Sequence, residues 1–201
     1  MPEFLPSGIA GFDAAFGGIP RGCVTDVFGQ VSSGRTSLLH SLMAEATARE
    51  EFCALVDASD VFDPASAAAA GVALERLLWI RCSGNAEHAL KATDLLLQAG
   101  GFGLVVMDLG DIAPQTARRI SLASWYRLRR SVENTPTALV VTERAPLARA
   151  CAALAIECAR GSVRWAGAPG CSQLLRGVSF AMERRKPLRP ASATIEARAL
   201  R

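Results

Sequence analysis

Along this chain, short continuous apolar runs alternate with stretches in which apolar residues recur every three or four positions. Val24-Thr25-Asp26-Val27-Phe28, Phe52-Cys53-Ala54-Leu55-Val56, Leu77-Leu78-Trp79-Ile80, Phe102-Gly103-Leu104-Val105-Val106-Met107-Asp108 and Thr137-Ala138-Leu139-Val140-Val141-Thr142 are of the first kind. Runs this short and this apolar predict strands of a parallel sheet buried on both faces. Between them, residues 37–50, 64–70, 86–99 and 114–133 read as helices; in the first, Leu38, Leu39, Leu42 and Met43 form a stripe that must face a sheet. A short helix is expected over 146–153. Residues 154–160, 162–165 and 175–184 alternate apolar with polar, which predicts antiparallel strands extending the sheet. Glycine and proline make residues 1–22 a shaped loop rather than a helix, and the stretch after Arg185, 187–201 above all, reads as a basic tail. The expected fold class is α/β: a central, mostly parallel sheet flanked by helices, with antiparallel strands near the C-terminus, in a single domain over 1–201.

Composition narrows the picture. Half of the 201 residues are hydrophobic and one in five is charged, which suits a globular core and excludes a disordered chain. No apolar run approaches the roughly 20 residues of a bilayer span, and the opening Met-Pro-Glu-Phe-Leu-Pro lacks a basic stretch followed by an apolar core. A cytoplasmic protein with no membrane partner is expected. Cys23, Cys53, Cys82, Cys151, Cys158 and Cys171 contain no C-x-x-C pair, so neither a metal site nor a disulfide framework is expected. Charge is uneven: residues 1–112 hold 6 Lys and Arg against 14 Asp and Glu, and residues 113–201 hold 16 against 5, or −8 and +11. The basic half suits phosphates or an acidic partner, and equally a solvated arginine-rich surface.

Gly29-Gln30-Val31-Ser32-Ser33-Gly34-Arg35-Thr36 lies between the first predicted strand and its helix. It fits the phosphate-loop pattern G-x-x-x-x-G-K-[ST] except that Arg35 stands where the lysine belongs. In such a loop, backbone N–H groups and the helix N-terminus surround an anion, and the hydroxyl, here Thr36 with Ser37 beside it, faces a magnesium ion. Asp108, ending a buried strand, is the candidate to hold that ion through water. A turn without ligand, and an aspartate that only caps its turn, are the plainer readings of both features.

Taken in order, these residues resemble the ATPase core of the RecA recombinase family. The resemblance rests on Phe12-Asp13, Gly17-Gly18-Ile19-Pro20-Arg21-Gly22, the loop with Ser32-Ser33, Val56-Asp57-Ala58 with Asp63-Pro64, and Val105-Val106-Met107-Asp108. It runs from about Leu5 to Asp111 and returns more weakly between Ala138 and Lys186. It implies a RecA-like phosphate-loop core, binding of ATP or ADP with Mg2+ at Gly29, Ser32, Ser33, Gly34, Arg35, Thr36, Ser37 and Asp108, and an adenine-side role for Asp63. It also exposes departures. The general-base glutamate falls on Ser59, the base-stacking aromatic on Ser66, and the polar sensor pair on Thr142 and Glu143, where a carboxylate would repel phosphate. A RecA-like core without its catalytic groups is most similar to ImuA-type accessory proteins of damage-inducible mutagenesis, which act with an inactive Y-family polymerase relative and an error-prone replicative polymerase.

Three functions fit this sequence. The first is a catalytically degenerate accessory or scaffold factor in DNA repair and SOS translesion mutagenesis, with a protein partner from a translesion or recombination assembly. The second is an active DNA-dependent ATPase or recombinase in which Glu75 or Glu87 replaces the base. The third is a nucleotide-binding regulator without hydrolysis. Single-stranded DNA or a protein would meet Arg118, Arg119, Arg127, Arg129, Arg130, Arg184, Arg185, Lys186 and Arg189, with Trp125 or Trp165 stacking on a base or else lying in the core.

Overall fold

The computed structural model describes residues 3–167 and 173–198; Cys171 and residues 199–201 of the expected tail lie outside them. The chain runs through β1 (Phe4–Leu5), α1 (Ala10–Phe16), β2 (Ile19–Pro20), β3 (Cys23–Gly29), α2 (Arg35–Ala48), β4 (Cys53–Asp57), α3 (Pro64–Ala69), β5 (Leu77–Arg81) and α4 (Ala86–Ala99). It continues through β6 (Leu104–Asp108), α5 (Pro114–Ala117), α6 (Leu122–Val132), β7 (Ala138–Glu143), β8 (Ala152–Ala166), β9 (Leu174–Lys186) and β10 (Ser192–Arg198). Eight strands form one sheet in the order β10-β9-β8-β3-β7-β6-β4-β5. The strands from β8 to β5 are parallel, and β9 and β10 are antiparallel additions.

Alternation within β6 shows why the sheet is covered twice. Leu104 and Val106 join Val27, Leu55 and Val140 under α1, α2 and α3. Val105 and Met107 join Val56, Leu139 and Val141 under α4 and α6. All of these side chains are buried, and such burial stabilises by about 1.5–3 kcal/mol for each large aliphatic residue.

Several sequence expectations need correction. Residues 10–16 are helical, because Phe12 and Phe16 stack one turn apart, at 4.5 Å between ring centroids, and Gly17 supplies a left-handed C-cap at φ 80°. The expected helix over 114–133 is two helices, since Ser121 accepts the Ser124 N–H and caps a fresh start. Over 146–153 only a 3-10 turn, Arg149–Cys151, forms before β8 begins. β8 pairs parallel with β3, and only its partnership with β9 is antiparallel. The tail is not free: residues 192–198 pair along β9 as an edge strand.

The amino ends of four strands are tied by one side chain. Arg21, preceding β3, gives Nη1 to Glu51 Oε2 (3.0 Å) and to the carbonyls of Gly103 (3.2 Å) and Pro136 (2.8 Å), and Nη2 to Glu51 Oε1 (2.7 Å). These partners precede β4, β6 and β7. Removing one member of a buried, hydrogen-bonded ion pair leaves its partners unpaired, so Arg21→Ala is expected to cost about 3 kcal/mol, read as a lower urea midpoint at unchanged slope. A midpoint equal to that of the unsubstituted protein would show that the network does not hold the sheet.

Candidate phosphate-binding site

The loop between β3 and α2 is shaped by close approach. A Cβ at Gly29 would lie 2.2 Å from the Cys158 carbonyl oxygen, and one at Gly34 would lie 2.5 Å from the Phe180 ring. Gly34 also has φ 92°, and Ser32 φ 60°, so the chain curls as it enters the 14-residue α2. Among the described residues, no backbone hydrogen bond is donated by Gln30, Val31, Ser32, Ser33 or Gly34. The Ser33 hydroxyl is buried and unpartnered. Buried polar groups are paired in nearly all folded proteins, and free donors gathered at a helix N-terminus are suited to an anion. Thr36 is exposed and Ser37 half-buried in the first turn of α2.

A cleft of about 250 Å³ beside the loop is lined by Thr36, His40, Phe62, Asp63, Ser66 and Asp108, among others. It brings together three residues proposed from sequence: Thr36, Asp63 and Asp108. Asp63 caps α3, accepting the Ala65 and Ser66 N–H groups and the Ser66 hydroxyl; that hydroxyl, then the amides, hold its carboxyl below the ordinary range. Burial lowers the His40 imidazole, while Asp63 pulls the other way, and Phe62 meets the ring edge-on at 6.0 Å. Sequence reasoning missed His40 and Phe62. The signal for His40 was its place one helical turn after Thr36.

The acids at the carboxyl ends of the strands are engaged. Asp57 accepts from the Ser59 and Phe62 N–H groups and from Trp79 Nε1. Asp108 Oδ1 accepts the Gly110 N–H at 2.9 Å and the Thr142 hydroxyl. Burial pushes the Asp108 carboxyl up, against Thr142, Gly110 and the Arg35 guanidinium, which hold it down. Asp60 pairs with Arg81 and Ser83, and Asp111 with Arg144. Glu75 sits in the turn before β5, at the opposite end of the sheet. Glu87 follows β5, four strands from β3 and so roughly 19 Å away at ordinary strand spacing.

Glu143 departs from expectation. It is buried and turned toward Asp26, inside β3; its Oε1 accepts the Leu147 N–H. Neither Asp26 oxygen nor Glu143 Oε2 has a well-formed hydrogen bond, although the Glu143 carboxyl and then the Ala148 and Leu147 N–H groups lie close enough to hold Asp26 down against its burial. Burial, then Asp26, push Glu143 far above the ordinary carboxylate range, and burial pushes Asp26 up as well. The pair therefore holds one proton between two carboxyls and keeps one shared negative charge, with Glu143 engaged by Asp26 and Leu147.

The basic residues divide. Arg118, Arg119, Arg129 and Arg130 are exposed and hold no ion pair among the described residues, whereas Arg127 pairs with Asp94. Arg184 is turned inward, donating to the Ala15 carbonyl with its guanidinium over the Phe16 ring. Arg185 is matched by Glu157 and Glu183, Lys186 bonds the Ala150 carbonyl, and Arg189 lies exposed in the β9–β10 turn. Trp125 is buried in the core and is not available for stacking, while Trp165 is exposed.

Proton sharing between Asp26 and Glu143 sets a sign for stability. Unfolded, both carboxyls ionise above their ordinary values of 3.8 and 4.5; folded, the pair keeps a proton. Its contribution is therefore full below those values and is lost as pH rises, by up to about 1.4 kcal/mol per pH unit. Glu143→Gln is expected to flatten the decline of the urea midpoint between about pH 5 and about pH 8. An unchanged decline would exclude the shared proton.

Comparison with known proteins places these features in a family. The RecA N-terminal domain family matches residues 2–118. Protein RecA of Rickettsia canadensis is 39% identical over 108 residues, covering 53% of this chain and 31% of that protein. Protein RecA of Mesorhizobium japonicum is 32% identical over 154 residues (69% and 42%), and Protein RecA of Chloroflexus aurantiacus 30% over 154 (69% and 44%). The matched stretch thus spans less than half the length of these relatives. With a continuous match from residue 2 to residue 118 that contains β3, its loop and α2, the chain belongs to the RecA family.

Proposed function

We propose that this chain is a RecA-like module that binds a nucleotide through its phosphates without turning it over, and serves DNA recombination and repair as an accessory or scaffold protein of the ImuA type. One contrast carries the reading: at the carboxyl end of the sheet the anion donors are free and the acids are spent. The amides of residues 30–34 and the Ser33 hydroxyl have no acceptor. Ser59 stands where a base is needed, and Asp57, Asp60, Asp63, Asp108, Asp111 and Glu143 each serve a local hydrogen bond or ion pair. A hydroxyl cannot take the proton of an attacking water as a carboxylate does, and loss of general-base catalysis alone costs about 10²- to 10⁴-fold in rate.

The residues present fit phosphates better than they fit the Mg2+ that the family implies. Thr36 and Asp108 share the cleft, but the Arg35 guanidinium lies against the Asp108 turn, and a guanidinium is a poor neighbour for a divalent cation. The exposed arginines around α5 and α6 suit a polyanion, either single-stranded DNA or an acidic protein of a translesion assembly.

In calorimetric titration ADP and ATP are expected to bind, and Ser33→Ala to weaken them about tenfold, the loss of one hydrogen bond to a charged group. Phosphate release is expected to stay at the blank with and without single-stranded DNA; turnover that Asp108→Ala abolishes would overturn the reading. For DNA, replacing Arg118 and Arg119 together by alanine is expected to reduce the slope of log affinity against log salt by roughly 1–2. Arg185→Ala, whose charge is already matched, is expected to leave that slope unchanged.

A further inference from the structure

The Arg35 side chain crosses from the start of α2 to the turn after β6. Its Nη1 lies 2.4 Å, and its Cζ 3.1 Å, from the point where a Cβ on Gly110 would stand, and Asp108 Oδ1 lies 3.0 Å from that same point. A side chain at Gly110 would displace the guanidinium from there. The same cation favours the ionised forms of Asp108, Glu143 and Cys158, which places it among the ends of β6, β7 and β8. Yet no hydrogen bond or ion pair spends its donors among the described residues. A half-buried arginine with unspent donors therefore begins α2 directly after the free amides of residues 30–34 and reaches the Asp108 turn.

A lysine at this position would present a compact charge and leave the side of Asp108 open. The longer, planar guanidinium instead occupies the neighbourhood of Asp108, where a divalent ion would be repelled, and offers donors spaced for phosphate oxygens. We propose that Arg35 is the resident cation of this site, so that nucleoside di- or triphosphate binds without a divalent ion. The proposal rests on the reading that the loop binds nucleotide. Arg35 then sets cofactor specificity: it takes over charge neutralisation that a metal would otherwise supply, and Gly110 is the position that makes room for it.

The test is calorimetric titration of ADP into the full chain, in EDTA and in excess MgCl2. The unsubstituted protein is expected to bind ADP with affinities that agree within about twofold in the two buffers. Arg35→Lys is expected to bind at least about tenfold more tightly with magnesium than without it. Asp108→Asn, added to Arg35→Lys, is expected to abolish that gain. Binding by the unsubstituted protein that requires magnesium would overturn this inference while leaving nucleotide binding intact. Heat of binding in neither buffer would overturn both. Arg35→Lys keeps the charge and the helix propensity, so a magnesium response equal to that of the unsubstituted protein would count against Arg35 and not against the fold.

Discussion

Burial of β3, β4, β6 and β7 on both faces is the constraint from which the site follows. A polar side chain along such a strand has no water to reach, so polar residues gather where the strands emerge at their carboxyl ends. Asp57, Asp108, Thr142 and Glu143 occupy those ends in neighbouring strands. In a medium of low polarity each needs local partners. Asp57 finds three donors, Asp108 finds two, and Glu143 keeps a proton. Asp26, within β3 itself, shows the same rule at its most demanding, since a second carboxyl and the nearby N–H groups of Ala148 and Leu147 accommodate it. The outcome is a site rich in acids, each of which already serves a local hydrogen bond or ion pair.

Much of the fold was legible because the signals were strong and local. Apolar runs too short for helices located the parallel strands, and the spacing of Gly29, Gly34 and Thr36 located the loop. What escaped depended on partners distant in sequence. The glycines of residues 1–22 obscured α1, whose two phenylalanines share a core with residues of β9 and β10. Alternation in β8 is the same whether a neighbour runs parallel or antiparallel, so its pairing with β3 could not be read from it. The ionisation of Glu143 was misjudged because Asp26, which fixes it, appears in sequence as an ordinary polar residue in a strand.

Net charge also proved coarser than position. Of the arginines that make the second half of the chain basic, some are structural: Arg184 covers Phe16, Arg185 neutralises two glutamates and Arg164 pairs with Glu196. The cations left for a ligand are concentrated around α5 and α6, on the side of the sheet away from α2. The glycine loop and the basic surface are thus separate features of one sheet.

Phe180 and the Cys158 carbonyl press on the two glycines that bound the loop, and both come from the hairpin of β8 and β9. The match to the RecA N-terminal domain family, residues 2–118, ends before that hairpin begins. The segment that carries the loop's residues is therefore not the segment that moulds them: their shape is held by strands far along the chain.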